Sequence, residues 1–313
     1  MLEFEILIDT SFEEINTDGS LAPIENKSVL SIVNDFENAA WRYDKFQSFV
    51  WDNIAETALS FGERQRLIDK SHTSLIESAK NLRLTDKNKD ETGQGSELAE
   101  IVLYGIMKNH FNALSVVPKI FYKQNSQDNA KGADSVHIVL EGENDFSIWF
   151  GEAKFYNSIE DARLASIIAS VENSLDVAKL RKENSIIANV SDINGVEMDE
   201  SLRQRIKNSL LPTESIDSIK PKLHIPILLL HECEITRGCK EMSEEYRDNM
   251  MVFHKERAEA YFKKQINKIA GIHKYSEIKF HIILFPVASK EEIVNLFVSN
   301  VEHYKRQANN GNI

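Results

Sequence analysis

Residues 146–155, FSIWFGEAKF, constrain this chain more than any other segment. Alternate residues of a strand share a face, so Ile148 and Phe150 precede Glu152 and Lys154 on one face while Trp149 and Phe155 occupy the other. A strand apolar on both faces is central in its sheet, not an edge. Ending it on a carboxylate and an ammonium two residues apart is costly unless the two pair with each other or hold an ion. Functional sites are where that cost is accepted. The bland alternative is a surface ion pair at a strand end.

A strong turn, Gly142-Glu143-Asn144-Asp145, joins this strand to an earlier β-rich run, Ala133 to Glu141. The hairpin brings Asp134 back beside Glu152 and Lys154. With an odd loop such as 143–145, Gly142 pairs with Phe146, and Asp134 faces Lys154, diagonal to Glu152. A loop of even length puts Asp134 on the opposite face. His137 reads either as a neighbour of the site or as a structural histidine on the other face. Upstream, Ser96 reads as the N-cap of a helix with Leu98, Ile101, Val102 and Gly105 inward. Glu97 and Glu100 both ride on that helix. Glu100 opens the apolar turn 101–104 and is preferred to project over the sheet.

Elsewhere, Leu2, Phe4, Ile6 and Ile8 alternate as an amphipathic strand, and residues 28–83 show helical spacing at Val29, Ile32, Val33, Phe36 and Ala40, continued from Trp41 to Phe61. Residues 85–95 form a polar linker. Pro118 to Lys123 reads as a short strand, 158–182 as one helix, 223–231 and 280–287 as buried strands, and 244–269 and 290–307 as long helices. The expected fold is α/β, a mixed sheet flanked by helices, with a mostly helical N-terminal region at 1–90 and the sheet-bearing domain at 91–313.

The net charge of −12 argues against a protein that coats nucleic acid. The charge is uneven: residues 1–60 hold 12 Asp and Glu against 3 Lys and Arg, whereas residues 252–279 hold 7 basic and 3 acidic residues. Region 1–90 is therefore expected to dock a partner, with Trp41, Tyr43, Phe46, Phe49 and Trp51 as anchors, or else to present a solvated acidic surface with those aromatics packed on the core. Two cysteines, Cys233 and Cys239, make neither a disulfide framework nor a zinc site. No apolar run is long enough for a bilayer, and MLEFEILID lacks a signal-peptide pattern, so the expectation is a cytoplasmic protein with no membrane association.

Asp134 and Glu152 supply hard oxygen ligands for Mg²⁺ (or Mn²⁺), with the Ala153 carbonyl as a third and Glu100 from the neighbouring helix completing the set. Such an ion acidifies a bound water, and Lys154 is placed to orient or deprotonate that water and to stabilise phosphate charge. Helix with Glu100, Gly-Ala-Asp, hairpin, buried strand and following helix come in the order of the PD-(D/E)xK nuclease superfamily, which the chain resembles. The segments SELAEIVLYGIM, KGADSVHI and WFGEAKFYNSIEDARLASIIASVENSL resemble more narrowly the HamA nuclease family of Hachiman bacterial anti-phage systems. Ala133 stands where the superfamily's proline would. The resemblance covers roughly residues 91–290 and implies a restriction-endonuclease-like fold, with the nuclease domain at 91–313. It implies a DNA nuclease restrained by a large helicase partner, HamB, until that partner meets abnormal DNA. Endonuclease against exonuclease action and DNA against RNA stay open. The rival is a catalytically silent nuclease fold serving as a protein- or DNA-binding module.

Overall fold

The computed structural model describes residues 2–16, 18–84, 95–123, 132–142, 145–189, 192–195 and 198–310. The linker stretch 85–94 and the turn residues Glu143 and Asn144 lie outside them. Seven strands build one mixed sheet: β1 (Glu5–Ser11), β2 (Lys27–Val33), β3 (Leu114–Val117), β4 (Ser135–Glu141), β5 (Asp145–Tyr156), β6 (Leu223–Glu232) and β7 (Lys279–Val287), in the spatial order β1-β2-β7-β6-β5-β4-β3. The four central strands β2, β7, β6 and β5 run parallel, and antiparallel partners flank them on each side.

Eight longer helices cover the faces: α1 (Tyr43–Ala58), α2 (Ser71–Asn81), α3 (Ser96–Asn109), α4 (Asp161–Ser174), α5 (Val177–Asn189), α6 (Glu200–Ser209), α7 (Glu244–Ile269) and α8 (Lys290–Asn310). One face of the sheet, with Ile148, Phe150, Tyr156, Ile227 and Leu229, packs on α4 through α7. Leu164, Ile167, Ile168 and Val171 recur at helical spacing and make α4 amphipathic, each worth about 1.5–3 kcal/mol when buried. The opposite face, with Trp149, Ala153, Phe155, Leu228 and Leu230, packs on α1, α2, α3 and α8. The result is a three-layer α/β/α body.

The N-terminal region departs from the helical reading. Lys27–Val33 is a strand, buried on both faces, paired with β1 and with β7. A strand buried on both faces loses its period of two, and Val29, Ile32, Val33 and Phe36 then satisfy the helical template by chance. Apart from single turns at Phe12–Ile15 and Gly19–Leu21, helix begins at Tyr43. Three local corrections have equally plain causes. Gly95, with φ of +86°, holds the cap position of α3, so Ser96 is its first helical residue rather than its N-cap. Pro118 cannot donate to a ladder, so the strand ends at Val117 and residues 119–123 turn into a short helix. The Asp176 carboxylate accepts the N–H groups of Ala178 and Lys179, which starts a new helix and splits 158–182 into α4 and α5.

The aromatics expected as partner anchors lie mainly in the core: Trp41, Phe46 and Phe49 are buried, Phe46 meets Phe285 edge to face at 5.7 Å, and the partly buried Trp51 packs on Tyr304 at 5.1 Å. Among the described residues no helix is long and apolar enough to cross a membrane. Cys233 and Cys239 are free thiols.

Candidate active site

β5 carries the charged pair into a sheet position flanked by β4 and β6. Glu141 pairs with Asp145 and Ser135 with Gly151, so the loop between the strands is odd and begins at Gly142, whose φ of +73° is the left-handed conformation glycine adopts readily. The ladder ends at the Ser135–Gly151 pair, and Asp134, just outside it, sits against the Gly151–Ala153 stretch rather than directly opposite Lys154 as a 143–145 loop would place it. Asp134 donates its N–H to the Gly151 carbonyl at 2.8 Å. Its Oδ2 accepts the Ala153 N–H at 3.1 Å and lies 3.8 Å from Lys154 Nζ.

This geometry aims the backbone as well. The Gly151 carbonyl and the Ala153 N–H both face the Asp134 side of β5. In an extended strand a residue's N–H and C=O leave by one edge, so the Ala153 carbonyl is directed to that same edge. Gly151 lets the layers close up, because a Cβ there would lie 2.1 Å from Ser135 Oγ and 2.7 Å from Leu103 Cδ2 of α3.

The charges are unevenly exposed. Glu152 and Glu100 are buried, while the Lys154 and Asp134 side chains keep 29% and 18% of their exposure, so the ammonium is reachable from solvent. Burial pulls the Lys154 pKa down, but Asp134, Glu152, Tyr156 and Glu100 outweigh it, and the net shift is upward. Lys154 is thus an ammonium, surrounded by three carboxylates close enough to act on it. Glu97 is engaged elsewhere: its carboxylate accepts the N–H groups of Arg83 and Leu84, both at 2.9 Å. His137 is buried on the opposite face against Tyr104, and burial pushes its pKa down to about 3.

Several participants were not singled out from sequence. Tyr156, on the face of Glu152 and Lys154, hydrogen-bonds Ser166 of α4 at 2.5 Å. Tyr261 of α7 is fully buried and its pKa is raised by burial, then by Tyr275, Glu152 and Tyr156; among the described residues nothing bonds its hydroxyl. Lys119 and Glu183 form a buried ion pair beside Ala133. Only Gly132 hinted at a close approach here; the partners themselves are 64 residues apart and carry no local pattern. On α7, Arg257 and Lys264 pair with Asp161 and Lys268 pairs with Glu172, so part of its basic face is already matched by α4.

Among the described residues no group of three or more His, Cys, Asp or Glu side chains is placed to hold a metal ion, Asp134, Glu152 and Glu100 included. The donor chemistry nonetheless fits a hard cation that keeps its water: carboxylate oxygens from Asp134 and Glu152, a directed carbonyl at Ala153, and a local excess of negative charge with Glu100 nearby. Mg²⁺ characteristically uses one or two carboxylates and takes its other ligands from water and substrate phosphate.

The HamA family model matches residues 9–301 of the 313-residue chain. A search of curated proteins finds no match.

Proposed function

The chain belongs to the HamA family, which associates it with Hachiman antiviral defence, and from that premise we propose that it is a metal-dependent deoxyribonuclease, the effector subunit of the defence complex. The observation that carries the proposal is the approach of both Asp134 and Glu152 to Lys154 at a central strand, with the Asp134 carboxylate held by the Ala153 N–H.

Asp134, Glu152 and the Ala153 carbonyl would hold Mg²⁺ (or Mn²⁺), with Glu100 adding negative charge from α3. The ion, when bound, supplies Lewis acidity toward a phosphate oxygen and an acidified water. Lys154 contributes a fixed positive charge: its ammonium, half-open to solvent, faces the place where a phosphodiester's negative charge grows, and a donor already in position needs no reorganisation. The Ala153 N–H orients Asp134, and the α3 layer covers the far face of the strand, which keeps bulk water from that side.

A helicase partner belongs to this reading as what the resemblance to the HamA family implies. The acidic N-terminal stretch suits a docking face for a basic partner, with charge rather than exposed aromatic rings as the attraction, because Trp41, Phe46 and Phe49 are buried. The absence of a complete cage among the described residues favours one rival, a silent nuclease fold that binds protein or DNA. Incubating the purified chain with plasmid, linear DNA and RNA, in Mg²⁺, Mn²⁺ or EDTA and with or without the helicase, separates the two. Metal-dependent cleavage that disappears in Lys154→Ala supports the nuclease. No cleavage under any of these conditions by a folded chain supports the silent module.

A further inference from the structure

Lys119 and Glu183 meet where the chain turns into the strand that delivers Asp134. Lys119 Nζ donates to both Glu183 oxygens, at 2.8 and 2.6 Å, with the two side chains 0% and 3% exposed. The same Glu183 Oε1 accepts the Ala133 N–H at 3.1 Å. Gly132 lies against this carboxylate so closely that a Cβ would stand 1.7 Å from Oε1. One residue on, Asp134 is fastened to Gly151 and Ala153. Glu183 therefore holds the backbone one residue ahead of the Asp134 carboxylate.

The network extends to the Glu100 helix. The Lys119 N–H donates to the Tyr104 hydroxyl at 3.3 Å, and that hydroxyl donates to the Val117 carbonyl. Tyr104 lies one turn beyond Glu100 on α3. Two elements that bring carboxylates to the site thus share one buried polar network. For stability alone such a pair is a poor device, since apolar residues of similar volume commonly do as well or better. Its use is geometric: a polar network with directed bonds allows one arrangement, whereas an apolar contact tolerates several.

We propose that the Lys119–Glu183 pair is the positioning element of the site, with Glu183 setting the Gly132–Ala133 backbone so that the Asp134 carboxylate arrives beside Ala153 and Lys154, and Lys119 neutralising and orienting Glu183. What Asp134 then does rests on the nuclease reading above; its placement does not.

The test compares two double variants of the full chain, Lys119→Met with Glu183→Gln and Lys119→Met with Glu183→Leu. Both remove the ion pair without leaving a lone buried charge, and only the first keeps an oxygen that accepts the Ala133 N–H. Hydrogen exchange at the Ala153 amide reports whether the Asp134 carboxylate is in place. It is expected to run about tenfold faster or more in the Leu variant than in the Gln variant, with the Leu228 and Ile283 amides of the core unchanged. Gly132→Ala, which pushes the Glu183 carboxylate aside while leaving both charges present, is expected to give the same local rise. Mn²⁺ affinity by calorimetry is expected to weaken about tenfold or more in the Leu variant. Equal Ala153 exchange in the two doubles overturns the proposal, as does a rise spread evenly over the core. If Ala153 responds as expected while the unmodified chain binds no Mn²⁺, the positioning role stands and the metal-dependent nuclease reading falls.

Discussion

Lys119 and Lys154 each stand beside a carboxylate in this fold, under opposite conditions. Lys119 is sealed and bonded to both oxygens of Glu183. Lys154 keeps 29% of its side-chain exposure, sits 3.8 Å from Asp134, and feels three carboxylates. The sealed pair is matched by directed bonds in a dry interior, whereas the open cluster gathers Asp134, Glu152 and Glu100 around an ammonium that solvent can reach. Under the proposed function the first serves as structure and the second as chemistry, and burial separates them.

Breaking each region should therefore fail differently. Glu183→Ala leaves an ammonium in the interior and is expected to lower stability by about 3–5 kcal/mol in denaturant titration. A loss under about 1 kcal/mol would erase the contrast. Glu152→Ala removes one of three crowded negative charges. The melting temperature is expected to hold or rise while DNA cleavage falls by about 10²–10³-fold or more. A large drop in melting temperature would make Glu152–Lys154 the structural ion pair instead.

Acid should reach the sealed side through His137, packed at 4.5 Å on the same Tyr104 that bonds Lys119. Its folded pKa of about 3 lies below the ordinary 6.5, so the unfolded chain takes up a proton that the folded chain refuses. The stability is complete above about pH 6.5 and is lost as pH falls toward 3. Between pH 7 and 5 this single group is expected to cost about 2 kcal/mol, measured as the flattening of the stability–pH curve in His137→Phe relative to the parent. The smallest effect belongs to a third grade of ion pair, the exposed bridges from Arg257 and Lys264 to Asp161 at 3.2 and 3.4 Å. Asp161→Asn is expected to cost less than about 1 kcal/mol, and less still at high salt.

What was legible in sequence tracks how local the determining interaction is. The alternation from Phe146 to Phe155 marks β5 and its two faces, and the hairpin brings Asp134 back to within 3.8 Å of Lys154. Pairing Asp134 directly with Lys154 missed because the loop begins at Gly142, whose glycine takes the left-handed conformation. Residues 27–33 misled because burial on both faces removes the one period by which a strand announces itself. The choice of Glu100 over Glu97 rested on its apolar neighbours; the bonds from Arg83 and Leu84 that occupy Glu97 are tertiary and left no trace in the pattern. Lys119 and Glu183 were invisible for the same reason, being two isolated charges whose meaning lies wholly in their meeting.

The place of β2 has a consequence for how the chain is made. Its pairing partner β7 ends at residue 287, so a polypeptide emerging from the ribosome completes β2 some 254 residues before that partner exists. At 5–20 residues per second the wait is roughly 10–50 s. During it the β1–β2 hairpin offers an open edge rich in Val29, Leu30, Ile32 and Val33, the kind of edge that recruits other strands. The segment most in need of protection during synthesis is therefore the N-terminal hairpin, three strands away from the one that carries Glu152.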